Sequence, residues 1–438
     1  MKVLFLAPYL PYPPRGGGEQ RMYQMLRYVA RQHDVHLLSF AMPDADLTPL
    51  REFCQVAIVP PPAHRAARRL RTLLFAATPD MALRGMDPRF RELLRATLEA
   101  NHFDVVQCES IEMAHYGAEV MTMPAKDGGR PLRCYDAFNA EYQIQRRAAL
   151  ADLGRPRRWP QAGYSLIQWR KLLRYEQQLA QRCDLILAVS QDDRDELQRL
   201  AHLPVAVVPN GVDTTYFRRS NPAVVELPAY PTLLFTGTLD YRPNVDALVW
   251  FVEQVWPALH ARRPDLHFRI AGQRPVSRIL QLDQHDGIDV VGPVADMRPE
   301  FERATVYVLP MRVGGGVRLK LLETWAMGTP CVTTQLGIAG IDEFEPGVHA
   351  LIADDPDAFR QQIERLLDDA TLRDRLAHAG RQLVDQHYDW KPIVDMMQRA
   401  WERARGIRDQ GSGIRGTRTR DQGSGIRDQG NEDEGSEQ

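Results

Sequence analysis

Short apolar runs alternate with longer amphipathic stretches along most of the chain, in two successive series. Apolar runs bounded by turn signals are what strands look like when a parallel sheet buries them on both faces. The first series comprises Val3–Ala7, Val35–Phe40, Val56–Val59, Val105–Cys108, Leu132–Tyr135, Leu185–Val189 and Ala206–Val208. The second comprises Leu233–Thr236, Phe268–Ala271, Val290–Val291, Val306–Leu309 and Cys331–Thr333. Helical patterns lie between them, for example Asn244–Ala261 and Val317–Met327. Two βα series in succession predict an α/β chain of two Rossmann-like, doubly wound domains.

The turn-rich stretch Val208-Pro-Asn-Gly-Val-Asp, followed by Ser220-Asn-Pro and Pro228, marks the boundary. The expected organisation is a first domain over 1–207, a second over 208–386 and a final amphipathic helix over 387–405. Beyond it, RDQGSGIR occurs at 408–415 and again at 420–427. A polar repeat of this kind cannot repay the entropy of ordering, so 406–438 is expected to be disordered.

A formal net charge of -2 argues against a dedicated nucleic-acid binder. The charge is polarised, roughly +5 over residues 1–205 and roughly -7 over the rest. A basic first half suits an anionic acceptor or a membrane surface, and a solvated Arg-rich surface accounts for it equally well. Cys54, Cys108, Cys134, Cys183 and Cys331 show neither a CxxC pair nor metal-type spacing, which fits a reducing cytoplasm. The opening MKVLFLAPYL is broken by Pro11, Pro13 and Pro14, too short for a spanning helix and without a small-residue cleavage site, and reads as a strand.

Two segments carry chemistry. In the first, Gly16, Gly17 and Gly18 precede a helix around Arg21–Arg31, where free backbone N–H groups can face an anion such as a diphosphate. A plain βα turn is the alternative, and the spacing is not GxGxxG. In the second, residues 306–334, a strand ends at Pro310 and Gly314, Gly315 and Gly316 lead into another helix start. Lys320 and Glu323 share a face of that helix, while Arg318 lies about 200° round from Lys320. A cation beside a diphosphate and a carboxylate that accepts both ribose hydroxyls are what a nucleotide-sugar requires. A surface Lys–Glu pair, worth a few tenths of a kcal/mol, explains the same spacing.

The run GGGVRLKLLETWAMGTPCVTT resembles the donor-site signature of family-four GT-B glycosyltransferases. Further segments follow in the family's order: VVPNGVDTTYF at 207–217, LLFTGTLDYRPNVDALVWF at 233–251, FRIAGQRP at 268–275 and VVGPVADMRPEF at 290–301. APYLPYPPRGGGEQR and YDAFNAEY at 135–142 are similar as well, and the resemblance is strongest to bacterial exopolysaccharide-associated sugar transferases. It covers about residues 1–400 and implies a GT-B fold with the two domains facing a cleft.

By that resemblance, Glu323 holds the donor ribose, and Lys320 with Gly315, Gly316 and Val317 lies near the diphosphate. Residues 291–294, including Val291 and Val294, lie beside the base, and Gly237, Thr238 and Leu239 face the sugar phosphate. Gly16–Gly18 close on the donor from the other domain. Many members carry a second glutamate where this chain has Gly315, and Arg and Lys where it has Thr238 and Pro243. Lys320, Arg318, Arg242 or Arg274 would supply the missing positive charge. In Asp136-Ala-Phe-Asn-Ala-Glu141, Phe138 replaces a histidine and leaves Asn139 and Glu141 on the acceptor side.

The resemblance implies transfer with retention from a nucleotide-diphosphate-sugar to a glycan or lipid-linked acceptor. No DxD loop stands out, so neither a metal nor another cofactor is expected. An epimerase of the same fold and an inactive nucleotide-sugar-binding homologue remain alternatives. Two cationic arcs, His64–Phe75 and Arg155–Arg174 with Trp159, Tyr164 and Trp169, would suit peripheral contact with the inner face of the cell membrane or form solvated faces. Trp250, Trp256 and Trp325 read as core, and Ser190 as a helix cap before Asp192–Glu196.

Overall fold

The computed structural model describes residues 1–14, 16–62, 72, 76–123, 130–154, 156–220, 229–314 and 316–417. Seven strands form the first sheet: β1 (Lys2–Ala7), β2 (Asp34–Phe40), β3 (Gln55–Val59), β4 (Val105–Glu109), β5 (Leu132–Ala137), β6 (Leu185–Ala188) and β7 (Val205–Val207). All pair in parallel, in the order β3-β2-β1-β4-β5-β6-β7. The second sheet contains β8 (Thr232–Thr236), β9 (His267–Ala271), β10 (Ile288–Gly292), β11 (Val306–Leu309), β12 (Cys331–Thr333) and β13 (Leu351–Ile352). Its order is β10-β9-β8-β11-β12-β13, again parallel throughout.

Strand order reverses between β1 and β4 in one sheet and between β8 and β11 in the other. Crossover helices leave these strands on opposite faces, which opens a crevice at the carboxyl ends where ligands of doubly wound folds bind. The loops after β1, β8 and β11 therefore hold the residues that matter for chemistry.

Each sheet has its own core. Leu233, Phe235, Phe251, Phe268, Tyr307, Leu322 and Trp325 are fully buried in the second. Trp250 and Trp256 are buried there too, as expected of core tryptophans. In the first, Val3, Phe5, Met22, Met25 and Val105 pack against Trp390, Ile393, Met397 and Trp401 of the last helix. That helix, Trp390–Thr417, crosses back from the second domain and continues through residues expected to be disordered from 406. Residues 418–438 lie outside the described residues. The crossing is pinned where Val212 bridges Asp389, beside Gly211, whose Cβ would meet Trp390 and Ile393 within 3.0 Å.

Trp401 is the main tie. It is fully buried, sits edge-on to Phe5 at 6.3 Å, and its indole N–H donates to Gln107 Oε1 at 3.0 Å. Trp401→Ala should cost the first domain about 3–5 kcal/mol, because it opens a large cavity and orphans the Gln107 amide. Hydrogen exchange should then quicken at β1 and β4 while β8 and β11 keep their protection. Equal loss in both sheets would contradict this division of the core.

Candidate functional site

The second domain builds one wall of the site from backbone packed against backbone. At Gly272 a Cβ would land 1.7 Å from the Gly237 carbonyl oxygen, so the carboxyl ends of β8 and β9 touch without side chains between them. Gly237 itself adopts φ 146°, and a Cβ there would sit 2.6 Å from Lys320 Nζ. The ammonium therefore lies directly over the turn that ends β8.

Lys320 is held from two directions. Its Nζ donates to Asn244 Oδ1 at 2.9 Å and lies 4.5 Å from the centre of the Phe235 ring. Asn244 is fixed in turn, its Nδ2 donating to the Thr238 carbonyl at 2.8 Å. Burial pushes the Lys320 ammonium down to about 7, nearby Arg318 acts in the same direction, and Glu323 opposes them. A cation so poorly compensated is primed for an anionic ligand.

Arg318 immediately precedes the Leu319–Ala326 helix and is buried, its guanidinium against Gly314, which also abuts Pro243. Glu323 follows Lys320 along that helix and is raised by burial, with a Gln20 hydrogen bond and Lys320 acting the other way. The Gln20 contact crosses the cleft, Nε2 donating to Glu323 Oε1 at 3.2 Å.

Of the first domain's glycines, one has its N–H occupied and two open the helix that faces the other domain. The Gly16 N–H is taken by the Glu19 carboxylate, so it is not free for an anion. Gly17 and Gly18 belong to the Gly17–Val29 helix itself. A Cβ on Gly17 would be 3.0 Å from Leu319 Cδ1, and one on Gly18 would meet Tyr9 and Phe138. These positions lack side chains because two helices and an aromatic pair approach there.

Other expected site residues divide. Val291 and Val294 lie at and after the end of β10, an edge of the second sheet, and both are half-buried. The Val317 side chain packs against Gly340. Gly316, at φ 79°, faces Asn139 of the first domain, whose Oδ1 would be 2.8 Å from a Cβ there. Asn139 donates to Glu141 Oε1 at 3.2 Å, and burial with the charges of Glu112 and Asp193 lifts that carboxyl to about 7, against the Asn139 bond. Gly315 lies outside the described residues.

Arg242 and Arg274 do not join the Lys320 cluster. Arg274 is 69% exposed on the rim and pairs with Asp240. Arg242 reaches across the domain boundary to buried Asp152, Nη2 to Oδ1 at 2.8 Å, and Arg158 joins the same carboxylate at 3.3 Å. Both arginines hold that carboxyl below its usual range.

Sequence reasoning missed Gln20, Asn244 and Asp152 as participants. Gln20 lies two residues after the glycine run, and Asn244 is a polar residue in the first turn of a helix otherwise rich in apolar side chains, so both left a weak signal. Among the described residues no group of three or more His, Cys, Asp or Glu could hold a metal ion. No described helix is long and apolar enough to cross a membrane.

Two Rossmann-like domains with a cationic helix start at the switch point of one and an acid reaching toward the other define the GT-B class. A family model described as "Glycosyltransferase Family 4" matches residues 15–216, and one described as "Glycosyl transferases group 1" matches 230–369. The chain belongs to the family-four GT-B glycosyltransferases and is a glycosyltransferase. An uncharacterized 44.6 kDa protein in the cps region of Klebsiella pneumoniae is 21% identical over 416 residues, 90% of this chain and 97% of that one. Sucrose-phosphate synthase from Thermosynechococcus elongatus superposes with a TM-score of 0.69 at 17% identity, covering 93% of this chain and 100% of that one. HepE from Anabaena in complex with UDP gives 0.65 at 15%, covering 92% and 100%. At these identities the solved structures establish the fold.

The Gly237–Gly272 contact can be tested without a ligand. Gly272→Ala should lower the thermal stability of the second domain by about 3 kcal/mol, since backbone has to move. Gly292→Ala, at φ 74° with open space around it, should cost only about 1–2 kcal/mol of local strain. The reverse order in calorimetry would refute the contact.

Proposed function

We propose that the enzyme transfers a sugar, with retention, from a nucleotide-diphosphate-sugar to a glycan or lipid-linked acceptor in polysaccharide or glycolipid synthesis. The reading includes work at the inner face of the cell membrane, with no metal or other cofactor. The observation that carries it is the Lys320 ammonium held by Asn244 over Gly237, with Glu323 one turn further along the same helix. Neighbouring folds with nucleotide bound and the cps-region relative support the donor and the pathway class.

In this reading the diphosphate lies between Gly237 and the 314–317 turn. Cleavage of the anomeric C–O bond moves negative charge onto the phosphate, where Lys320 and Arg318 stabilise it. Glu323 exchanges Gln20 for the ribose hydroxyls, and residues 291–294 flank the base. The acceptor hydroxyl enters beside Asn139 and Glu141, from the face that the phosphate leaves, and its proton passes to the departing phosphate oxygen as the new C–O bond forms.

Protonation of Lys320 gives the proposal a pH signature. Donor diphosphate binds the ammonium form, so binding raises the lysine pKa above its free value of about 7. Affinity should be greatest below pH 7 and fall as pH rises from there toward the bound-state pKa, by up to about tenfold per unit. Titration calorimetry with UDP- and GDP-sugars checks the slope, which Lys320→Met should abolish.

Glu323→Gln and Lys320→Met should each weaken donor binding by about 1–3 kcal/mol, the worth of a charge-assisted hydrogen bond. NMR of the product's anomeric proton reads the stereochemistry. Inverted product, isomerised free donor without transfer, or unchanged affinity in both variants would defeat the assignment.

A further inference from the structure

Two helices, Glu141–Leu153 and Trp159–Ala180, pack against each other as a hairpin on the first domain. Its turn carries an unusual concentration of exposed apolar surface. Trp159 is 61% exposed, Leu150 59% and Leu153 52%. They form one patch: Leu150 and Leu153 share a helix face, and the Trp159 indole N–H donates to the Leu153 carbonyl at 3.3 Å.

The charges around this patch have one sign. Residues 141–180 contain eight Arg and Lys against three acids. Asp152 and Glu176 are buried and Glu141 is half-buried, so among the described residues every exposed charge of the hairpin is positive. Arg146 and Arg147 lie one turn before Leu150 on its face, and Ile167, Arg170 and Arg174 continue an exposed stripe along the second helix. Arg146 and Arg170 also flank the half-buried Trp169 ring, at 6.0 and 5.5 Å.

We propose that this hairpin docks the enzyme on an anionic lipid bilayer, with Leu150, Leu153 and Trp159 inserted between headgroups and Arg146, Arg147, Arg170 and Arg174 on the lipid phosphates. An amphipathic aromatic with two aliphatic neighbours suits the headgroup boundary, and cations beside it suit the negative surface potential. A second copy fits poorly, because two such faces would repel. A free polyanion would satisfy the arginines but leave the leucines in water.

This deepens the reading of a transferase that works at a membrane, and it rests on that reading. Vesicle binding is measured without donor or acceptor, so loss of docking and loss of transfer are separate results. The full chain should co-sediment with phosphatidylcholine vesicles that contain phosphatidylglycerol and release as salt shortens the Debye length. Arg146→Gln with Arg147→Gln should weaken partitioning roughly 25-fold, about fivefold for each charge. Leu150→Ser with Trp159→Ser should weaken it by at least tenfold. Arg278→Glu and Leu280→Ser, exposed on the second domain, should leave binding unchanged, and circular dichroism confirms that each variant folds. Binding unaffected by either hairpin pair, equal binding to pure phosphatidylcholine, or a dimer in light scattering that Trp159→Ser abolishes would overturn the proposal.

Discussion

A buried ion pair in the first domain sets the geometry of the cleft. Arg21 and Asp136 are 1% and 0% exposed, joined by two hydrogen bonds of 2.8 and 2.9 Å. The remaining reach of the guanidinium goes to the Pro209 carbonyl and Asn210 Oδ1 in the segment between the sheets. One side chain thus fixes the Gly17–Val29 helix to β5 and to the start of the linker. Taking such charges out of water is expensive, and the arrangement is tolerable because the geometry is bidentate and further partners are satisfied. Glu109 at the end of β4 records the same electrostatics. Burial and the charge of Asp136 drive its carboxyl well above the usual range, so one guanidinium is not asked to balance two carboxylates.

From that anchor the functional groups follow. The helix tied down by Arg21 carries Gly17 to Leu319 and Gln20 to Glu323. The strand tied down by Asp136 leads into Asn139 and Glu141, and Asn139 meets Gly316 across the cleft. All three contacts with the Leu319–Ala326 helix and its preceding turn depend on residues within a few positions of one buried pair.

The strands were legible because parallel strands buried on both faces keep their apolar runs, as β1 and β11 do without interruption. β13 was not, since two residues at a sheet edge leave no run to read. The expected helix over 244–261 divides at Val255, where Pro257 follows in the first turn of the next helix. The first helix starts earlier than expected: glycines are poor helix formers, yet Glu19 takes the Gly16 N–H and compensates. Within the site, Lys320 and Glu323 were readable because three-residue spacing is a local property of a helix. The Arg242–Asp152 pair was not legible, because the two lie ninety residues apart on different domains and no local pattern announces such a pair.

The same cross-domain contacts bear on how a donor enters. Glu323 is already occupied by Gln20, and the cleft narrows at Gly316 until a single Cβ would strike Asn139. On the proposed reading, ribose hydroxyls at Glu323 would exchange with Gln20, with the two walls separating first. The forces opposing separation are modest. A neutral donor on a carboxylate at 3.2 Å is a long hydrogen bond, and the Arg242 side chain is 53% exposed, so water can replace much of what Asp152 gives it. Asp152 lies near the turn of the hairpin that carries Leu150, Leu153 and Trp159. Asp152 thereby ties that turn to Arg242, at the start of the helix that also carries Asn244, the partner of Lys320.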